Sequence, residues 1–594
     1  MRVRSTSLPW ARPRYEPLLL VLVAIVALLP VSKATDQDLS RLCLTQAIVH
    51  GKLSNDRCLA SSFDKALFDG HLYSDKAPGM SFVELPSAEA VRLPPVNEIE
   101  GTSARLWAVR LLSSGVAFLL TAFLVGRVAE GLAPGRGGAA MVTFALGTLV
   151  ALFAAVNFSH DAAAATAFAT FVLAWRKRFA LAGLVGGAAV VVEYQTAAVL
   201  AIVALYALRH GARRLADYAL GLVPGVALLL VYDTLAFGSP FHLSYRYVAL
   251  KEQGTGFFGI GLPHAHAVYE VFVGKSGLLI VSPVVVAAAY GLVLLARTHP
   301  LEAAVCGAVT VFFVLLNCGY YIAYGGTLAG PRFLVPALPF LAVGLGPAFA
   351  RRPRATAVLA VASALAVFGL LLVWTQNPPL RQTIWGDLVR FPSQGRAAEL
   401  IRHLSPNALG WTPVGTGGGV AVMFGAAALA FGAALAARGW SVDAIRARPA
   451  RSAAFALAVV AAMLALARIA TKPIEVRTAI AASTAAAFPG DEVDFVVTVT
   501  NETGTFLPNA AVVISLPQGM TLLGRPTQER GPGCTGTTTV TCDLDFLEAH
   551  MVTRVHLGVR IDPSASSKLR VRAFGKSGDV AGPTSTASVI AGAG

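Results

Sequence analysis

Apolar runs of roughly 20 residues recur along the first four fifths of this chain, separated by short polar loops. A run of that length in hydrocarbon must satisfy its own backbone hydrogen bonds, which makes it a helix. Only 14% of the residues are charged, against about 25% in ordinary soluble domains. The sequence therefore predicts a polytopic α-helical membrane protein. The net charge of +15 would suggest nucleic acid for a soluble protein. Here the basic residues fall in short loops between apolar runs, where membrane orientation places them, so no nucleic-acid partner is expected.

The first run, Leu18 to Leu29, follows a basic start. It fits either a signal peptide, with "SKA" ending at Ala34 as a small-residue cleavage site, or an uncleaved first span. Further runs lie near 105–126, 138–156, 161–175, 180–207, 216–236, 277–296, 303–322, 333–349, 355–374, 415–437 and 453–470. The 180–207 run is interrupted by Glu193-Tyr194-Gln195 and reads as two segments meeting at a polar kink, giving about thirteen spans. With the N-terminus in the cytoplasm, every inner loop is basic, from Arg12 and Arg14 through Arg176-Lys177-Arg178 to Arg446 and Arg448. That arrangement predicts a plasma-membrane protein with residues beyond about 471 outside.

The division expected is a first span (1–34), a polar outer loop (35–104), a membrane core (105–375), an outer loop with the last two spans (376–474), and a tail (475–594). In the tail, Val493, Phe495, Val497 and Val499 alternate with polar neighbours, as do Val555, Leu557, Val559 and Ile561. Such alternation between turn residues predicts an extracytoplasmic all-β sandwich of Ig-like type. Cys43 with Cys58, and Cys534 with Cys542, lie in segments placed outside and are candidate local disulfides. Cys306 and Cys318 are expected as buried thiols. No metal or nucleotide motif is present, so no cofactor is predicted, although a divalent ion is compatible with the chemistry below.

The polar residues converge on the outer side. They include "TDQDLSR" at the head of the first loop, "FDGHLYSDKAPGM" (Phe68 to Met80), "NFSHD" (Asn157 to Asp161), Glu193, and the cations Arg246 and Arg332 at span edges. Asp36 and Asp38 stand just before a helical pattern through Leu39, Leu42 and Cys43. This arrangement resembles the GT-C glycosyltransferases, including protein O-mannosyltransferases and the lipid A aminoarabinose transferase. "DLSR" resembles their Asp-Glu-x-Arg motif, departing at Leu39, so the resemblance leaves Asp36 and Asp38 both open as the catalytic acid. An uncleaved first span would hold that acid at the membrane surface. "YSDKAPG" resembles their Lys-Pro-Pro element, whose lysine holds the lipid phosphate. "GTLAGPRFLVPALPFL" resembles a stretch of uncharacterised actinobacterial relatives. The tail resembles the surface repeat called domain of unknown function 11, through "PGDEVDFVVTVTN" and "CTGTTTVTCDL".

The resemblance implies transfer of a sugar from a polyprenyl-phosphate donor, within the membrane lipid, to an extracytoplasmic glycan, lipid or protein acceptor, with inversion. Displacement at an anomeric carbon needs a carboxylate to take the acceptor's proton and cations to stabilise the leaving phosphate. Asp38, Asp36 and Asp161 are the candidate catalytic acids. Lys76 is the expected phosphate ligand, with His71, Tyr73, Asp75, His160, Glu193, Arg246 and Arg332 as further substrate contacts. Two other readings are a lipid-linked glycan transporter or flippase, which predicts charges deep inside several spans, and a membrane-anchored adhesion protein built around the tail.

Overall fold

The computed structural model describes residues 8, 10–30, 35–60, 62–95, 104–154, 156–249, 257–274, 277–323, 330–373, 415–435, 457, 460, 461, 464, 476–502, 507–548, 550–565, 568–577 and 580–592. The chain divides into two compact units. One is helical, Met1–Leu388 with Ala408–Leu466; the other comprises Val389–Asn407 and Ala467–Gly594. Most of the span expected at 453–470 and the whole of the outer loop at 376–414 lie outside the described residues.

Among the described residues, four helices of the first unit are long and apolar enough to cross a membrane: Ala104–Leu132, Ala212–Phe237, Pro300–Gly319 and Pro353–Leu371. Two bent pairs, Ala265–Val281 with Val284–Leu295 and Arg332–Ala342 with Leu345–Arg351, also pass when each is taken as one span. Shorter apolar helices include Glu16–Leu28, Gly137–Gly147, Phe179–Val192 and Tyr194–Arg209. The 180–207 run is indeed broken: Glu193 adopts extended backbone, at φ −155° and ψ 118°, between two helices. That break leaves its side chain at a helix end. Helix Phe179–Val192 packs closely on Ala212–Phe237 because glycines face each other across the contact. A Cβ on Gly187 would meet Leu222 O at 2.8 Å and Gly225 Cα at 3.1 Å. Small residues four apart allow such backbone approach where water supplies no driving force.

The polar loop folds into its own elements. Helix Asp36–Val49 is followed by the short helix Asp56–Leu59, strands β1 (Ala66–Phe68) and β2 (His71–Tyr73), and helix Gly79–Ala90. Gly79 fixes this loop onto the helical unit, since a Cβ there would stand 2.5 Å from the backbone nitrogen of Val192. The residues after Lys76 are thereby held beside Glu193. A disulfide joins Cys43 to Cys58 across the loop.

The second unit contains two sheets. One has the order β3 (Val476–Ala482), β5 (Glu492–Asn501), β10 (Val552–Ile561), β7 (Met520–Gln528). The other runs β4 (Ala486–Ala487), β13 (Ser585–Ala591), β11 (Lys568–Ser577), β6 (Leu507–Ser515), β9 (Thr539–Leu547), β8 (Gly533–Thr535), with β12 (Val580–Ala581) beside β11. Val493, Phe495, Val497 and Val499 pack with Val555, Leu557, Val559 and Ile561 and with Leu569 and Val571 in one buried core. The period of two thus decides which face of each strand is inside. Cys534 and Cys542 are cross-strand neighbours on β8 and β9 and are bonded to each other.

Candidate active site

Helix Asp36–Val49 begins with a capping box. Thr35 is the N-cap, and its backbone N–H and hydroxyl both donate to one oxygen of Asp38, at 2.8 and 2.9 Å. Thr followed three residues later by an acid is the sequence pattern that produces this. The other Asp38 oxygen accepts from Asn157 N–H at 2.6 Å and lies 3.3 Å from Arg110 Nη2. Asp38 is 0% exposed. Expected as the proton acceptor, it instead has both oxygens engaged in bolting the loop helix to the helical unit. Asp36 accepts the backbone N–H of Phe63 at 3.0 Å, which ties it to the following loop.

The bolt extends to a carboxylate that the sequence reading did not single out. Arg110 Nε donates to Asn157 Oδ1 at 2.8 Å, Asn157 Nδ2 donates to Glu84 Oε1 at 2.9 Å, and Thr45 donates to Glu84 Oε2 at 2.9 Å. Burial pushes the Glu84 carboxyl up to about 7, against the pull of its bonds to Asn157 and Thr45. A raised folded-state value means the folded state holds more protons between the ordinary 4.5 and 7. Stability therefore falls as pH rises through that window and then levels off. Glu84→Gln keeps the acceptor for Asn157, and the Thr45 hydroxyl can donate to Arg41 O at 3.0 Å instead. Melting of the detergent-solubilised protein should show the variant losing this pH dependence, with a gain above pH 7 of roughly 3 kcal/mol at most. An unchanged pH profile would refute it.

The stretch from Phe68 to Met80 is a hairpin followed by an inward turn. β1 and β2 pair Phe68 with His71 around Asp69-Gly70, both at positive φ (49° and 78°). Asp-Gly with two left-handed residues suits the tight turn that matches strand twist. Beyond Tyr73, the chain turns inward at Ser74, Asp75 and Lys76, all buried. Lys76 Nζ donates to Asp75 Oδ2 at 2.7 Å and to Asp64 Oδ1 at 3.0 Å. Ser40 donates to Asp75 Oδ1 at 2.9 Å. Burial works against the Lys76 ammonium, but Asp64 and Asp75 outweigh it and raise its pKa. Burial also opposes the Asp64 carboxylate, yet the ammonium holds it below the usual range. Asp75, still more deeply enclosed, is pushed up by burial despite Lys76. Lys76, expected to face a phosphate, thus stands between two carboxylates.

Two guanidinium groups lie close by with, among the described residues, no carboxylate bonded to them. Arg41, 4% exposed, donates to Gln37 O at 2.8 Å and Ser159 Oγ at 3.0 Å, and its Nε is buried without a partner. Arg332 opens the 3₁₀ turn Arg332–Ala337, and its Nε is likewise buried and unpartnered. The two lie 5.8 and 5.9 Å from the centroid of the same ring, Phe158. His160 stands 5.9 Å from that ring and shares a hydrogen bond of 3.0 Å between its Nδ1 and Glu193 Oε1. His160 Nε2, Glu193 Oε2 and both oxygens of Asp161 are buried without partners. Such groups are costly in a folded protein unless a ligand meets them.

Of the residues expected at the site, the structure gathers Asp75, Lys76, His160, Glu193 and Arg332 into this region. It does not bring His71 there. His71 is exposed, pairs with Asp56 at 2.9 Å, and lines a separate groove of about 1010 Å³ with His50, Lys52, Arg57 and Arg92. Tyr73 packs on Phe237 at 5.3 Å between ring centroids, and Arg246 is exposed. Arg41, Asp64, Glu84 and Asn157 were not among the expected residues. For Arg41 the signal was present, as the last residue of "DLSR". Asn157 likewise opens the polar stretch "NFSHD", whereas Asp64 and Glu84 have no local pattern that marks them. Among the described residues, no group of three or more His, Cys, Asp and Glu side chains could hold a metal ion.

No family model matches the chain, and no curated protein matches it in sequence. Among solved structures, the chain is similar to ArnT from Cupriavidus metallidurans in the apo state, at 16% identity over 77% of this chain and 75% of that one, with a TM-score of 0.43. It is also similar to the arabinosyltransferase EmbB from Mycobacterium smegmatis, at 14% identity over 92% of this chain and 64% of that one, TM-score 0.33. A fifth of the chain is similar to the collagen-binding domain of a Staphylococcus aureus adhesin, at 11% identity over 98% of that domain, TM-score 0.15. Likenesses this distant do not establish a family.

Proposed function

We propose that this protein is an integral membrane glycosyltransferase of the GT-C type, moving a sugar from a polyprenyl-phosphate donor to an extracytoplasmic acceptor. The observation that carries this reading is the pair of guanidiniums, Arg41 and Arg332, each with a buried, unpartnered Nε beside one aromatic ring and, among the described residues, without a bonded carboxylate. A buried cation in that condition favours an anionic ligand, and two planar forks suit a phosphate. Lys76, held by Asp64 and Asp75, would organise the region rather than grip the phosphate. The reaction is a direct displacement. The acceptor oxygen bonds to the anomeric carbon as the carbon–oxygen bond to phosphate breaks, and that electron pair leaves on the polyprenyl phosphate. The acceptor's proton passes to a carboxylate. Asp161 is the first choice, because no donor occupies either oxygen; the His160–Glu193 pair is the alternative.

The placement of charge in the long helices favours a transferase over a transporter. Arg110, Asp233 and Glu302 all lie within seven residues of the end of their helix (Ala104–Leu132, Ala212–Phe237 and Pro300–Gly319), not at mid-span. The deciding experiment is mass spectrometry of lipid that co-purifies with the protein in detergent. Wild type should carry a polyprenyl phosphate or its glycoside, and Arg41→Gln with Arg332→Gln should lower that occupancy by at least about tenfold, the worth of one charged hydrogen bond or more. A wild-type preparation devoid of any polyprenyl lipid would remove the basis for the reading.

A further inference from the structure

The two sheets of the second unit differ in how their exposed charges are balanced. On the four-stranded sheet, Arg477 meets Glu502 at 3.1 Å, Arg554 meets Glu529 at 3.3 Å, and Arg560 meets Glu492 at 2.8 Å. On the other sheet, strand β11 alternates buried Leu569, Val571 and Ala573 with outward Lys568, Arg570, Arg572, Phe574 and Lys576. The residues directly opposite the last two arginines and the second lysine carry no charge. Arg570 faces Ser588, Arg572 faces Thr586 on one side and Ser515 on the other, and Lys576 faces Ala511. Among the described residues, no ion pair involves Arg570, Arg572 or Lys576. The row is straight, because alternate residues of one strand repeat every ~6.8 Å on one face.

We propose that this face binds an extended anionic glycan of the cell envelope. Charge complementarity supplies the attraction, since a row of uncompensated cations concentrates a linear polyanion along it. The linear arrangement suits a polymer with charges at regular intervals better than a two-dimensional lipid surface. Phe574, half-buried between Arg572 and Lys576, offers a ring face on which a sugar can lie, and the flanking hydroxyls of Thr586, Ser588 and Ser515 can bond to sugar oxygens. A membrane-binding face would instead carry a belt of apolar side chains beside the charges.

The test uses the full chain in phosphatidylcholine nanodiscs, with polygalacturonate as probe and neutral dextran and phosphatidylglycerol vesicles as comparisons. Two charge-matched triple variants are compared. One is Arg570→Ser, Arg572→Ser, Lys576→Ser; the other is Arg477→Ser, Arg554→Ser, Arg560→Ser. All six positions are at the surface, where serine leaves the core intact. Polygalacturonate affinity should fall by roughly tenfold or more in the first variant and by less than about threefold in the second, because exposed paired charges contribute little. Phe574→Ala should also weaken binding. Equal losses in both triple variants, undiminished binding in the first, or capture of the vesicles in preference to polygalacturonate would each overturn the proposal.

Discussion

Replacing Lys76 with methionine should destabilise the protein by roughly 3–5 kcal/mol, the usual result of removing one partner from a buried ion pair. Methionine keeps most of the stem but leaves Asp64 and Asp75 without the ammonium that bonds to both at 3.0 and 2.7 Å. The pH dependence gives a second signature. In the wild type, the lowered pKa of Asp64 contributes stability that is present above its ordinary value of 3.8 and is lost as pH falls through the folded value. In the variant no ammonium offsets burial, which already pushes Asp75 up in the wild type, so both folded values rise and stability is recovered on acidification as the carboxylates protonate. Thermal melting between pH 4 and 8 would show the variant gaining stability on acidification relative to the wild type. Parallel melting curves with less than about 1 kcal/mol of loss would mean that the ammonium is solvated and the triad unimportant. Donor lipid should also be depleted, since the loop bearing Lys76 lies beside the two unpaired guanidiniums.

The two helix-start acids, Asp161 and Asp38, should separate by what each loses. Asp161→Asn should lower sugar transfer by roughly 10²–10⁴-fold, the worth of a positioned proton acceptor. It should leave donor occupancy near wild type, because no hydrogen bond to either oxygen is broken, and should raise the melting temperature, because a buried carboxyl without partners is removed. Asp38→Asn should behave in the opposite order. Asparagine has one oxygen where Asp38 uses two, for Thr35 on one side and for Asn157 and Arg110 on the other. It would leave Arg110 buried without its carboxylate, a cost of several kcal/mol, so loss of folded protein should precede any selective loss of turnover. Transfer measured per folded molecule, with the donor supplied, distinguishes them. If Asp161→Asn transfers at the wild-type rate, the proton goes elsewhere, and His160→Gln becomes the variant to examine.

Local features of the sequence carry most of the architecture. The apolar runs specify helices, since length and lack of charge are properties of a contiguous segment. The alternation at Val493–Val499 and Val555–Ile561 specifies strands and their inner faces for the same reason. Thr35 with Asp38 specifies a helix start, and Asp69-Gly70 specifies a turn. "EYQ" within an apolar run marks the break at Glu193. Of the polar residues read from the loops, the fold brings together Asp75, Lys76, His160, Glu193 and Arg332 but not His71 or Arg246.

What only the tertiary structure decided is which of those polar side chains are free. Asp38 and Asp161 are each an acid in the first turn of a helix. They differ because Asn157 and Arg110, far along the chain, fold onto Asp38, while no donor folds onto Asp161. Lys76 reads as an exposed cation until Asp64, on the other side of the hairpin, is brought within 3.0 Å. Arg41 and Arg332 become neighbours only through the ring of Phe158. Whether an ionised group is available for chemistry depends on the partners that desolvation forces upon it, and those partners are set by packing between distant segments. The sequence by itself determined the elements and the side-chain chemistry they carry; the pairing that neutralises some of those groups and leaves others unsatisfied was decided by the fold.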